Sequence, residues 1–341
     1  MRGKTTAGGN AVKVGAVLGA LAGLGLAAGL ILHFGWRQVG DAALAAGWQG
    51  LAALTGVYVV CLLLCALAWR AVILDAPRNV FLVCLWARWL RESIGNLLPL
   101  LPTAGEIAGA REVTLHGVRP GMAGASTIVD LTLELVSQIV FTLFGLALFV
   151  TWYRGSPISA WLLGGVAISV LAAAGFILAQ CSGLFSFLER LPERLDIKWA
   201  WTVLPDSESV HAGIQAIYRH RRRILTGTAL HLASWIVGAS EAWVGLWFMG
   251  HALPWSDVLI LESVAFAVRT AAFAVPSRLG VQEGSYIVLG ALFGLSPEVA
   301  LALSLLKRGR EIVTGLPCLI IWQGVEARRL WWRQRRSRSP Q

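Results

Sequence analysis

The sequence is short of charge. Only 14 % of its 341 residues are Asp, Glu, Lys or Arg, whereas a soluble domain carries about 25 %. It also lacks the usual marks of a metal or redox protein. The five cysteines (Cys61, Cys65, Cys84, Cys181 and Cys318) form no CxxC pair, and no histidine lies close enough to complete a zinc cluster. No DxxD pair occurs, and the six histidines are scattered. No metal site and no cofactor are therefore expected. Disorder is excluded by 16 Trp, 12 Phe and a hydrophobic fraction of 56 %.

What is present is a series of apolar runs near the 20 residues that cross a bilayer as a helix. They fall at 14–32, 51–69, 121–152, 160–179, 224–249 and 299–323. The first follows Arg2, Lys4 and Lys13 and lacks a convincing cleavage site, so it reads as an uncleaved span. The expectation is an all-α, polytopic membrane protein forming a single membrane domain. Two further stretches, 93–118 and 257–296, are apolar but broken by Pro and Gly and carry charge. Broken backbone at membrane depth is tolerated only inside protein or beside a wet cavity. Each stretch therefore reads as a re-entrant helical hairpin, with helix breaks at Pro102 and Gly105 in the first and at Pro276 and Gly280 in the second.

The net charge of +10 raises the question of nucleic acid. The distribution of Lys and Arg answers it. With a cytoplasmic N-terminus, 22 of them fall in the segments 1–13, 70–92, 106–119, 181–223 and 326–341. Only Arg37 and Arg154 fall in the loops of the other side. That bias is a topology signal, and it predicts both termini inside. Nucleic acid is not an expected partner; membrane lipids are. The basic tail, with Trp331 and Trp332, should anchor the last span against anionic lipid.

A weak internal repeat runs through the chain. At an offset of 177 residues Glu106 falls on Glu283, Gly117 on Gly294, Pro120 on Pro297 and Glu134 on Glu311. Half 1 covers about 51–152 and half 2 about 224–323, joined by a linker at 181–223 and followed by the tail, 324–341. Three spans between the hairpins make the second copy inverted, a recurrent plan in transporters.

Ionisable residues within spans are costly and count as functional candidates. Asp130 and Glu134 share one helix face, and Lys307, Arg308, Arg310 and Glu311 interrupt the last span. The offset pairs Asp130 with Lys307, so the two helices would carry complementary charges toward a shared centre. Ion pairs that merely lock helices together are the competing reading. Glu106 and Glu283 follow the helix breaks, where a carboxylate could carry a proton, hold a headgroup or cap a half-helix. Arg269, two turns after Glu262, could bind a headgroup or pair with that glutamate. Snorkelling to the interface would account for Arg88 and Arg91 as well as a function would.

The stretches LLPLLPTAGEIAGARE (97–112), GASTIVDLTLE (124–134), GVQEGSYIVLGALFG (280–294) and LLKRGRE (305–311) resemble the flippase-like family of the lysylphosphatidylglycerol synthase transmembrane region. Within it, they are most similar to the branch found with hopanoid biosynthesis. The resemblance implies a bacterial inner-membrane domain that moves or accommodates lipids, with hopanoid synthesis or trafficking as its setting. Members that make lysyl-lipids add a soluble aminoacyltransferase domain; this sequence stops at Gln341, so that activity is not expected. Two other readings stay open: a membrane enzyme that modifies a lipid headgroup, and a non-catalytic scaffold for partners in lipid biosynthesis.

Overall fold

The computed structural model describes residues 36–98, 103–152, 207–271 and 280–338. The expected spans at 14–32 and 160–179, the breaks Pro102 and Pro276, and Cys181 lie outside these residues. Among the described residues there are nine helices and no strand. They are α1 (Trp36–Val72), α2 (Val80–Leu97), α3 (Ala104–Leu115), α4 (Pro120–Trp152), α5 (Ser207–Tyr218), α6 (Arg221–Phe248), α7 (Trp255–Ala271), α8 (Val281–Leu292) and α9 (Pro297–Arg338). Ala43–Val72 of α1 and Pro120–Trp152 are both long and apolar enough to cross a bilayer. α6 and α9 have the length but carry more charge.

The helices start and stop where local chemistry dictates. Proline opens α4 and α9, where its missing N–H would be unpaired in any case. Gly47, at φ 59°, kinks α1, and Gly280, at φ 78°, precedes α8; both occupy the left-handed region that glycine enters without penalty. Pro317 lies inside α9 and removes a backbone donor. The indole Nε1 of Trp89 on α2 donates to the Thr314 carbonyl in the preceding turn at 3.0 Å.

Each Pro- and Gly-rich stretch contributes two described helices that pack on one another: α2 with α3, and α7 with α8. The first arm differs from expectation. It begins at Val80, within a stretch whose charges resembled a cytoplasmic loop, because Arg88 and Arg91 point into the protein and the exposed face is apolar, with Leu82 65 % exposed. Gly105 likewise lies inside α3 instead of forming the break. A Cβ on Gly105 would meet the Arg91 carbonyl oxygen at 2.5 Å, and one on Gly109 would approach Trp69 and Ala87. This small-xxx-small pair lets α3 lie against the backbone of α2.

Among the described residues the most extensive interface joins α1 and α6. Around it the packing is reciprocal: α9 lies on α1 and α2, as α4 lies on α6 and α7. Helix limits recur too, since Ala104–Leu115 and Val281–Leu292 stand 177 residues apart, as do Pro120 and Pro297. Two apolar cores fill the two ends. One gathers Leu54, Phe149, Leu246, Leu261 and Leu303, and the other Trp69, Ile73, Val113, Val129 and Ile217. Cys84 and Cys318 are buried among apolar neighbours, Cys65 is buried with its thiol 3.3 Å from Ser234 Oγ, and Cys61 is half-buried, all as free thiols.

Helix contacts in the first core are close enough to be tested. A Cβ on Gly145 of α4 would fall 1.7 Å from Ser263 Oγ and 2.6 Å from its Cβ on α7. Gly145→Ala should therefore push α4 from α7 and cost about 1–3 kcal/mol. Thermal unfolding in detergent would show this as a lowered midpoint; an unchanged midpoint would mean that the two helices do not meet there.

Candidate functional site

Between the two apolar cores lies a layer of charge. In α1 Tyr58 separates Leu54 of one core from Ala66 of the other, and in α9 the charged run 307–311 follows Leu306 directly. The helices bring nearly every candidate residue into this layer, in two clusters joined by a bridge.

The first cluster is built on α2 and α4. Arg88 grips Glu134 with both terminal nitrogens, at 2.8 and 2.6 Å. Arg91 donates to Asp130 at 2.9 Å and to Glu134 at 2.7 Å. Asp130 also meets Arg88 Nη1 at 3.5 Å and takes a third partner, His231 Nε2 of α6, at 2.9 Å. Arg88 and Arg91 are only 3 % and 5 % exposed, so they do not snorkel to an interface. Two parallel N–H···O contacts suit guanidinium, whose planar fork matches a carboxylate. Glu92 and Glu106 complete the cluster at its edge. Arg88 Nε holds Glu92 at 2.8 Å, whereas Arg91 Nε is 3.7 Å from Glu106. The side chains of Glu134, Glu92 and Glu106 are 20 %, 24 % and 30 % exposed, so this edge is where the layer opens.

The second cluster is built on α7, α8 and α9. Lys307 Nζ donates to both oxygens of Glu262 at 2.7 and 2.8 Å and lies 2.8 Å from Tyr286 Oη. Tyr286 in turn donates to Glu262 at 2.6 Å. All three are buried. Asp130 and Lys307 thus each find partners within their own cluster and do not pair with one another. Arg269 does not pair with Glu262 either. It donates to Gln282 Oε1 at 3.0 Å and stacks on Phe266, 4.1 Å from the ring centroid. Gln282 Nε2 passes the chain to Ser304 Oγ at 2.9 Å.

A bridge crosses between the halves. Tyr58 donates to Glu92 at 3.1 Å, Arg310 stacks on the Tyr58 ring at 4.3 Å, and Arg310 donates to Glu241 of α6 at 3.0 Å. Beside it, Arg308 donates to Glu311 at 3.0 Å and lies 3.7 Å from Glu283.

Glu106 and Glu283, equivalent by the offset, have different surroundings. Glu283 is buried and accepts the Gly280 N–H at 2.7 Å, which makes it a cap for α8. Glu106 stands in the first turn of α3, where no side chain caps the helix, and keeps an exposed edge. The carboxylate in half 2 is committed to backbone; the one in half 1 is available.

Several members of the layer fall outside the residues singled out from sequence, namely Tyr58, His231, Glu241, Gln282 and Tyr286. His231 and Glu241 did carry a signal, as single ionisable groups in an apolar helix. A further cluster lies beyond the apolar stretch of α9. Arg111 of α3 grips Glu326 with both nitrogens at 2.9 Å, and Arg329 reaches the buried Glu112 at 2.9 Å. Hydrogen bonds from Arg111 and Arg329 hold the Glu326 carboxyl below its ordinary range. This cluster ties the end of α9 to the first hairpin. Among the described residues no group of three His, Cys, Asp or Glu side chains is arranged to hold a metal ion.

The described residues are all-helical, with two helices long and apolar enough to cross a bilayer and a charged layer between apolar cores, an arrangement that suits a membrane protein. The family model for the lysylphosphatidylglycerol synthase transmembrane region matches residues 17–317, and the chain belongs to that family. This makes it a membrane protein of lipid metabolism. No curated protein and no solved structure shows a significant match.

Proposed function

We propose that the protein moves a lipid across, or holds it within, a bacterial inner membrane, with a hopanoid or related isoprenoid lipid as its cargo. The observation that carries this reading is the open edge of the charged layer. Glu106, Glu92 and Glu134 present exposed carboxylate beside Arg91, at the interruption between α2 and α3. A polar headgroup exchanges water for ligands at such a place, while the apolar faces of the helices receive the tail. On this reading the chain has about six spans and two re-entrant hairpins, with both termini cytoplasmic. The halves are inverted copies, and the reciprocal packing around α1 and α6 supports that arrangement. The resemblance to the hopanoid-associated branch supports the lipid class.

Lipid transfer between leaflets of proteoliposomes tests the reading. Glu106→Gln removes a charge that no close ion pair requires, so the protein should fold normally and transfer at least tenfold more slowly. Glu283→Gln should instead weaken the cap on α8 and cost about 1 kcal/mol of stability, read as a lowered unfolding midpoint. Wild-type transfer by Glu106→Gln would overturn the assignment of the open edge as the headgroup site.

A further inference from the structure

The end of the molecule where α1 finishes and α6 begins carries an unbalanced charge unrelated to the central layer. Arg70 closes α1, Arg78 lies in the α1–α2 connection, and Arg219, Arg221 and Arg222 surround the start of α6; all five are exposed. None of the five side chains has a hydrogen bond or an ion pair among the described residues. They are nevertheless held together. The neighbouring Arg223 donates to the carbonyls of Ala71 and Ile73 at 3.0 and 3.1 Å, which pins the first turn of α6 to the last turn of α1. The short helix α5, which leads into this corner, is itself fixed. Its Gly213 and Ser209 lie against Ala125 and Gly121 of α4 so tightly that a Cβ on either Gly213 or Gly121 would clash. Among the described residues, carboxylates do not offset the charge. Asp75 is engaged by Arg119 at 3.3 Å, and Glu208 is the only other acid on the adjoining α5.

Like charges fixed on adjoining helix ends repel one another, and an anion shared between them relieves the repulsion. The surface below them specifies what the anion is attached to. Leu225 is 69 % exposed and lies one turn into α6 on the face of Arg221, and Leu67, 38 % exposed, lies one turn back from Arg70. Apolar side chains directly beneath arginines match acyl chain beneath phosphate. We infer that this corner binds the phosphate headgroup of an anionic membrane lipid, with Arg70, Arg221 and Arg222 as its ligands and Leu67 and Leu225 against the first part of the tail. Arginine suits this use, since its fork takes two phosphate oxygens at once.

Thermal unfolding of the full chain, followed by tryptophan fluorescence in phosphatidylcholine nanodiscs with and without phosphatidic acid, tests the inference. In the wild type phosphatidic acid should raise the midpoint. Arg221→Gln with Arg222→Gln should lose at least half of that rise, whereas Arg335→Gln with Arg336→Gln, an equal loss of charge in the tail, should keep it. Inorganic phosphate added to phosphatidylcholine nanodiscs should give no comparable rise, because it lacks the tail. If the glutamine pair disturbs membrane insertion, Arg221→Lys with Arg222→Lys keeps the charge count and gives up the forks, and its rise should still be smaller than that of the wild type. An undiminished rise in the arginine-corner variants, an equal loss in the tail variant, or an equal rise with inorganic phosphate would each overturn the site.

Discussion

Asp130→Asn should cost on the order of 3–5 kcal/mol of stability, the usual consequence of removing one partner from a buried ionic network. Asp130 is fully buried and accepts from Arg91, Arg88 and His231. Asparagine keeps the shape and loses the charge, and its amide presents hydrogens to groups that are themselves donors. Arg88 would then keep Glu134 and Glu92, while Arg91 would keep only a share of Glu134 and the more distant Glu106, in surroundings where a poorly matched charge is most expensive. The measurement is the unfolding midpoint in detergent together with the yield of monodisperse protein. Asp130→Glu, which restores the anion at the cost of one methylene, should recover part of the loss. An asparagine variant that melts with the wild type would show that the carboxylate is not what holds the two arginines.

Lys307→Met should be comparably damaging, and a second substitution should reverse part of the damage. With the ammonium gone, Glu262 retains only the Tyr286 hydroxyl and is left as a buried anion. Adding Glu262→Gln removes that anion, and the glutamine can still accept from Tyr286. The double variant should therefore unfold at a higher temperature than Lys307→Met alone. Additive losses would mean that Lys307 and Glu262 do not form the pair, and the second cluster would have to be redrawn. If α9 sits in the bilayer as proposed, the same comparison made on purified protein and on intact membranes should agree in sign.

The helical class and the glycine that precedes α8 were legible because they follow from short-range rules: apolar run length and the conformational freedom of glycine. The membership of the charged layer was legible in part, since Asp130, Glu134 and the 307–311 run stand out against apolar sequence. Their partners did not. Arg88 meets Glu134 across 46 residues and His231 meets Asp130 across 101, and such pairings depend on helix register that no local pattern encodes. Arg88 and Arg91 stay open between an interfacial and a buried role in the sequence for a specific reason. Charges at helical spacing read the same whether their face turns to water or to a buried carboxylate, and only the exposed apolar face of α2 separates the two. Gly105 was misread because glycine serves both as a break and as a gap for a neighbouring backbone.

α9 can also be viewed as a lever. It carries Lys307 to Glu311 in the charged layer and, after the Pro317 joint, presents Glu326 and Arg329 to α3. Eighteen residues of helix separate Glu311 from Arg329, a span of about 27 Å. A small tilt at the charged layer becomes a displacement several times larger where Arg329 meets Glu112. The distance between those two ends of the first hairpin and the last helix is therefore a natural readout of what happens at the centre, and a pair of spin labels on α3 and on α9 beyond Pro317 would follow it.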